Sequence, residues 1–212
     1  MFSGMRTQYV GKTGMFVPDI LINDKEILSR VNEQFDRFKL GYELKVSPLS
    51  DQASQIQDLY AIRLCEKETR VRVGITDVGF GISQVLPVIV QSMISRGKTL
   101  LIEQPELHLH PALQAELGDV FIDSALGEGK NRFLIETHSE HLLLRVMRRM
   151  RETSNDELPE GVPQVTPKDV CVLFVEPDGS RSIVREMPLN ENGELVKAWP
   201  GGFFEEGLRE VF

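Results

Sequence analysis

Two short runs, "KTLLIE" (98–103) and "RFLIET" (132–137), restrict the folds open to this chain more than any other feature. Each is continuously apolar, and each stops at an acidic residue. Runs of this length fit strands buried on both faces of a parallel sheet. Helical patterns surround them. From Ile82, apolar residues recur at 85, 86, 89, 90, 93 and 94, with Pro87 inside the run and expected to remove a backbone bond or kink the first turns. From Pro111, well placed as a first helical residue, Leu113, Leu117, Val120 and Phe121 form a stripe. Ser139 is suited to cap a third helix, with Leu142, Leu143, Val146, Met147 and Met150 facing inward. The order helix–strand–helix–strand–helix predicts an α/β fold.

The flanks read differently. Ile27 to Phe38 has the spacing of a short amphipathic helix, with Ile27, Leu28, Val31, Phe35 and Phe38 on one side. "YELKVS" (42–47), "LYAIRLCE" (59–66) and "RVRVGI" (70–75) alternate as half-buried antiparallel strands do. "NDELPEGVPQVTPK" (155–168) is a Pro- and acid-rich link. After it, "DVCVLFVEPDGSRSIVREM" predicts a hairpin turning near Asp178-Gly179. The tail "GELVKAWPGGFFEEGLREVF" predicts a short final helix, with Phe203, Phe204, Leu208, Val211 and Phe212 available to pack.

At 212 residues, 41% of them hydrophobic, the chain can bury one sizeable core and a small appendage. A net charge of −8 does not favour a broad basic surface for nucleic acid, although a local patch stays compatible with it. Cys65 and Cys171 lie in separate apolar stretches, so no disulfide framework or zinc spacing follows, and a reducing cytoplasm fits. The start has no apolar leader core, and no run approaches the roughly 20 apolar residues of a membrane span. The expectation is a cytoplasmic protein without a membrane partner.

Gly11-Lys12-Thr13 looks like the end of a phosphate-binding loop, G-x-x-x-x-G-K-S/T. The first glycine of that pattern belongs at position 6, where Arg6 stands; Gly4 is too early. No buried strand precedes it, and Pro18 in "GMFVPD" argues against a helix start after it. "YVGKTG" is therefore read as a Gly-flanked surface loop.

Chemistry concentrates in three later segments. In "TDVGFGISQVLPVIV" (76–90) a Gly79-x-Gly81 turn runs into a helix N-terminus, which offers N–H groups to an anion. In "TLLIEQPELHLHP" (99–111) a strand ends at Glu103, with Gln104 and Glu106 close behind. A carboxylate at the carboxyl end of a parallel strand sits where open α/β sheets bind ligands, and can hold Mg²⁺. In "RFLIETHSEH" (132–141) a second strand ends in Glu136-Thr137-His138-Ser139, where a histidine can donate to a phosphate oxygen.

In that order these segments resemble the C-terminal half of an ABC-type ATPase, in the prokaryotic AAA branch related to RecF and SMC proteins. "IEQPELHLHP" resembles the Walker B and D-loop segment, "TDVGFGISQVLPV" the signature segment and "IETHSEH" the H-loop. "WPGGFFEEGL" resembles an uncharacterised C-terminal extension found in one branch. The resemblance implies a P-loop NTPase sheet flanked by helices, with a small β-hairpin and helix extension. It implies residues 1–57 as a loop and helix segment from the middle of the ATPase fold. Residues 58–153 would be its C-terminal part, and 154–212 the extension.

The resemblance further implies that ATP and Mg²⁺ are bound between subunits. Glu103 takes the metal-coordinating position. Gln104 falls where a catalytic glutamate usually sits; it can orient a water but cannot accept its proton, so Glu106 becomes a substitute. His138 is the switch histidine; Gly79, Gly81 and Ser83 are signature residues; His108 and His110 belong to the D-loop. The Walker A lysine and its loop are missing, so the implied partner is a homodimer mate or the chain carrying that half. DNA is a candidate ligand, and DNA repair or anti-phage defence the candidate setting. The competing expectation is a catalytically inactive interaction module with a partial ATPase fold.

Other readings of the same residues are weaker. His108-x-His110 with His138 has the residue types of a zinc site, but Leu107, Leu109 and Pro111 interleave and the segment turns toward a helix. Arg145, Arg148, Arg149 and Arg151 form a local basic cluster, read first as a solvated helix face and second as a DNA contact. "VEPDGS" (175–180) is a hairpin turn rather than a nuclease centre.

Overall fold

The computed structural model describes residues 9–49, 60–197 and 200. The final helix expected over the C-terminal tail lies outside the described residues.

Two helices open the described chain, α1 (Val17–Asn23) and α2 (Lys25–Arg37). The start of α1 corrects the reading of Pro18 as a breaker. Proline stands in its first turn, where the missing N–H has no helical partner to lose. Asp24 caps α2 by accepting from the N–H groups of Glu26 and Ile27, both at 3.1 Å. The helix buries Ile27, Val31 and Phe35.

Strands β1 (Tyr42–Pro48), β2 (Tyr60–Glu66) and the two-residue β3 (Arg72–Val73) form an antiparallel sheet in that order. Asn32 ties α2 to this sheet. Its amide donates to the Leu44 carbonyl at 3.0 Å, and its side-chain oxygen accepts from Leu44 N–H at 2.7 Å. A single side chain thus satisfies both backbone groups of one β1 residue.

A short 3-10 turn (Ile75–Asp77) leads into α3 (Gly79–Ile94), which runs through Pro87. Then come β4 (Thr99–Glu103), α4 (Pro111–Leu126), β5 (Arg132–Glu136) and α5 (Glu140–Ser154). Strands β4 and β5 pair in parallel with Glu103 opposite Glu136. One core joins these parts, with Val31, Phe35, Leu64, Ile89, Val90 and Leu117 all at 0% exposure.

Burial of β4 and β5 on both faces is not observed. Leu100, Ile102, Phe133 and Ile135 turn inward, whereas Leu101 and Leu134 are 75% and 59% exposed. The side-chain period of a strand is two, so helices packed on one face leave every second residue open. An apolar run records that both faces suit burial, not that both are covered.

The "YVGKTG" loop is a structural connector. Backbone bonds hold it in place: Gly14 N–H donates to Gly11 O (3.2 Å), Phe16 N–H to Val10 O (2.9 Å) and Val17 N–H to Gly14 O (3.0 Å). Val10 N–H donates to Gln91 Oε1 on α3 at 2.8 Å. Gly14 has φ +78°, and a Cβ there would run into the ring of Pro87. Gly14→Ala is expected to cost about 1–3 kcal/mol, from the left-handed backbone plus overpacking. Chemical denaturation checks it; a loss below about 0.5 kcal/mol would mean the loop is not docked on α3.

The remaining chain forms a hairpin, β6 (Leu173–Asp178) and β7 (Arg181–Glu186). Its two-residue loop is Gly179-Ser180, with Gly179 at φ +59°. A second small core, Ile122, Met150, Val165 and Leu189, fastens this part to α4 and α5.

Two of the four α5 arginines, Arg145 and Arg149, turn away from solvent, while Arg148 and Arg151 are exposed. Arg149 is buried and bidentate to Asp119 of α4, Nε to Oδ1 and Nη2 to Oδ2, both at 2.8 Å. Arg145 bonds Asp119 as well as Glu116, the latter at 2.9 Å. Glu152 accepts from Arg148 (2.7 Å) and Arg149 (2.6 Å). Three of the four cations are thus committed to carboxylates.

Candidate functional site

The carboxyl ends of β4 and β5 gather most of the polar residues singled out above. Both strands stop where their apolar runs stop, and alternation puts Glu103 and Glu136 on the open face beside Leu101 and Leu134. The ladder extends one bond further: Gln104 N–H donates to the Glu136 carbonyl at 2.8 Å. Gln104 then takes φ +45°, a left-handed conformation uncommon for a residue with a side chain, and the chain turns off the sheet.

Side chains meet at this turn. Gln104 Nε2 lies 3.5 Å from Glu136 Oε1, and His138 Nε2 lies 3.4 Å from the same oxygen. Glu103, Gln104, Glu136 and His138 are all exposed, so a ligand can reach each of them.

Glu106 differs. It is buried, and its Oε1 accepts the His138 backbone N–H at 2.7 Å, while Oε2 has no hydrogen-bond partner. A buried carboxylate oxygen left unpaired costs about 1–3 kcal/mol, so this side chain is held by its surroundings rather than by local preference. Gln114 makes a second bridge between the same two loops. It donates to Leu109 O at 3.0 Å and accepts from Ser139 Oγ at 2.6 Å. Ser139 Oγ in turn accepts from Leu142 N–H and caps α5, as expected. The loops after β4 and β5 are therefore locked to each other beneath the exposed set.

The Gly79–Gly81 turn begins α3 as the sequence suggests. Val78 provides no side-chain cap, so the first-turn N–H groups lack that partner. A Cβ on Gly79 would meet nothing within 4 Å, whereas one on Gly81 would stand 2.9 Å from the His108 carbonyl. The α3 N-terminus thus abuts the loop after β4, and Gly81 is required by that contact. Ser83 is half-buried in the second turn.

His108 and His110 do not join the strand-end set as ligands. His108 is exposed at φ +63°, and His110 caps α4, its Nδ1 accepting from Ala112 N–H at 3.3 Å. Among the described residues no group of three or more His, Cys, Asp or Glu side chains is placed to hold a metal. Mg²⁺, by contrast with zinc, keeps waters and takes one or two protein carboxylates beside substrate phosphates. Glu103 is an oxygen donor of that kind, and Glu136 stands next to it in register. Sequence reasoning named Glu136 without giving it a role; the available signal was its parity with Leu134, which matches that of Glu103 with Leu101. A cleft of about 210 Å³ among Arg30, Arg37, Arg96 and Asp123 shares no residue with this site.

Comparisons with known proteins agree with this geometry. The family model described as AAA ATPase domain matches residues 16–143. One described as a protein of unknown function (DUF3696) matches 165–212. Comparison with curated protein sequences gives no match. A crystal structure of the SmcHead bound to the C-winged helix domain of ScpA superposes with a TM-score of 0.54 at 11% identity. That match covers 88% of this chain and 52% of the other, so the chain spans about half its length. A structure from work on ATP-driven dimerization and DNA-stimulated activation of SMC ATPases gives 0.54 at 12% identity, covering 94% and 97%. At such identity the likeness establishes the fold, that of an ABC-like P-loop NTPase head. Among the described residues no helix is long and apolar enough to cross a membrane.

Proposed function

The chain belongs to the AAA ATPase domain family, and we propose that it contributes the signature, Walker B and H-loop parts of an ATP-hydrolysing site completed by a second component. The observation that carries this is the convergence of Glu103, Gln104 and His138 on the open carboxyl ends of two parallel strands. In this reading Glu103 would help hold Mg²⁺, which would supply positive charge to polarise bound phosphates. Gln104 orients the attacking water, and His138 donates to the γ-phosphate. Glu106 fixes the His138 backbone from below. The uncapped start of α3, with Gly79, Gly81 and Ser83, closes on nucleotide held by the opposite subunit. His108 and His110 stand at that subunit boundary.

In this reading "YVGKTG" is not the phosphate loop of the site. The docking of "YVGKTG" on α3, through Val10 to Gln91 and Gly14 against Pro87, supports this, and Leu101 and Leu134 leave an apolar sheet face open to a covering lobe. Dimerization driven by ATP and a link to DNA are supported by the likeness to SMC ATPases; DNA repair or anti-phage defence is the setting we propose. DNA contact through α5 is the weaker part, because three of its four arginines are already paired. Gln104 favours a second reading, a non-hydrolysing interaction module.

Calorimetric titration of Mg-ATP into the purified chain alone separates these ideas. Affinity weaker than about 1 mM is expected, with no change on Lys12→Ala. Micromolar binding that Lys12→Ala removes would make "YVGKTG" a phosphate cradle and overturn the composite site.

A further inference from the structure

The position that follows the strand-end acid is an amide here, and an amide accepts no proton from water. A carboxylate stands beside it on the neighbouring strand. Glu136 is the register partner of Glu103, its side chain is 51% exposed, and it sits on the open face. Gln104 Nε2 at 3.5 Å and His138 Nε2 at 3.4 Å both lie near Oε1. That leaves Oε2 for a water.

We propose that Glu136 is the proton acceptor of this site, standing in for the carboxylate that Gln104 lacks; this rests on the ATPase reading above. Glu106 cannot take the role, since it is buried and one oxygen already binds the His138 N–H. Glu103 would be taken up in holding Mg²⁺ in that reading. In the step, the water oxygen bonds to the γ-phosphorus, and the bond from that phosphorus to the bridging oxygen breaks. Its electron pair leaves on ADP. The water proton passes to Glu136 and from there to solvent. Gln104 lends its amide to orient the water.

The test compares Glu136→Gln, Gln104→Glu and the double exchange in the intact assembly supplied with Mg-ATP. Three quantities are read: equilibrium affinity for Mg-ATP, lifetime of the ATP-bound dimer, and hydrolysis rate as a function of pH. Glu136→Gln is expected to leave affinity within about twofold and lengthen the dimer lifetime. Hydrolysis should fall about 100-fold or more, with loss of the acid limb of the pH profile. Adding Gln104→Glu should restore turnover. Hydrolysis within about threefold of the unaltered protein overturns the proposal, as does a failed rescue. A parallel loss of Mg-ATP affinity also overturns it, making Glu136 a metal ligand. An unaltered assembly that binds Mg-ATP without hydrolysing it sinks the proton acceptor and leaves the binding reading standing; one that does not bind sinks both.

Discussion

Asp119→Ala is expected to destabilise the protein by about 3 kcal/mol, seen as a fall of roughly 6–12 °C in Tm for a domain of this size. Asp119 is the shared acceptor between α4 and α5. It takes a bidentate pair from Arg149 and a further bond from Arg145, and the three side chains are only 10–15% exposed. Truncation leaves two poorly solvated guanidinium groups facing each other, and Glu116 and Glu152 neutralise them only from the sides. The residual exposure places the effect at the low end for a broken buried pair. Removing the charges together distinguishes this cause from simple loss of packing: Asp119→Leu combined with Arg145→Met and Arg149→Met should recover most of the loss. A fall below about 1 kcal/mol for Asp119→Ala would mean that water reaches the pair.

The same network sets an acid limit. Burial alone would raise the Glu152 carboxyl, but hydrogen bonds from Arg149 and Arg148 outweigh it and hold the pKa below the usual range. A carboxyl depressed in the fold stabilises it fully above the unfolded value, about 4.5, and the benefit disappears as pH falls through the folded value. Asp123, at the far end of α4, has the opposite sign. Burial pushes its carboxyl up against the pull of Arg37, so its contribution declines as pH rises through the folded value.

How much of this was legible in the chain depended on whether a feature is local. Strands β4 and β5 announced themselves through unbroken apolar runs, the start of α4 through Pro111, and the cap at Ser139 through a polar residue just before a stripe. The hairpin followed from Asp178-Gly179. Features set by what lies across space did not show. Pro18 looks the same in sequence whether it ends a helix or begins one. Leu101 and Leu134 read as buried because an apolar residue does not state which neighbour covers it. Arg149 looked like surface charge until Asp119, thirty positions away, was placed beside it. In the site, Glu103 was legible from its place after the run. Glu106 was legible as an acid but not as a buried one, and Glu136 became interesting only when the register set it against Glu103 and Gln104.

Glu103→Ala is expected to slow ATP hydrolysis by the completed assembly about 1,000-fold while leaving the fold intact. The two effects separate because of where the side chain stands. Glu103 is exposed at the last position of β4, outside the core, so its removal should change stability by no more than about 0.5 kcal/mol. Its chemistry has no local replacement. Glu136 is the adjacent carboxylate, but one of its oxygens is near both Gln104 and His138, and Glu106 lies beneath the surface. Electrostatic stabilisation of charge developing on transferred phosphate is among the largest catalytic contributions, and a metal bound through one or two carboxylates is lost when one goes. Glu103→Asp keeps the charge but pulls it back by one methylene, so it should retain part of the rate and demand more Mg²⁺ for half-maximal activity. Glu103→Gln keeps the shape and loses the charge, and should resemble alanine. Equal activity of the Gln and unaltered proteins would show that the carboxylate is not a metal ligand, and the Mg²⁺ position would move to Glu136. A rate loss accompanied by a lowered Tm would assign Glu103 to the sheet edge rather than to the reaction.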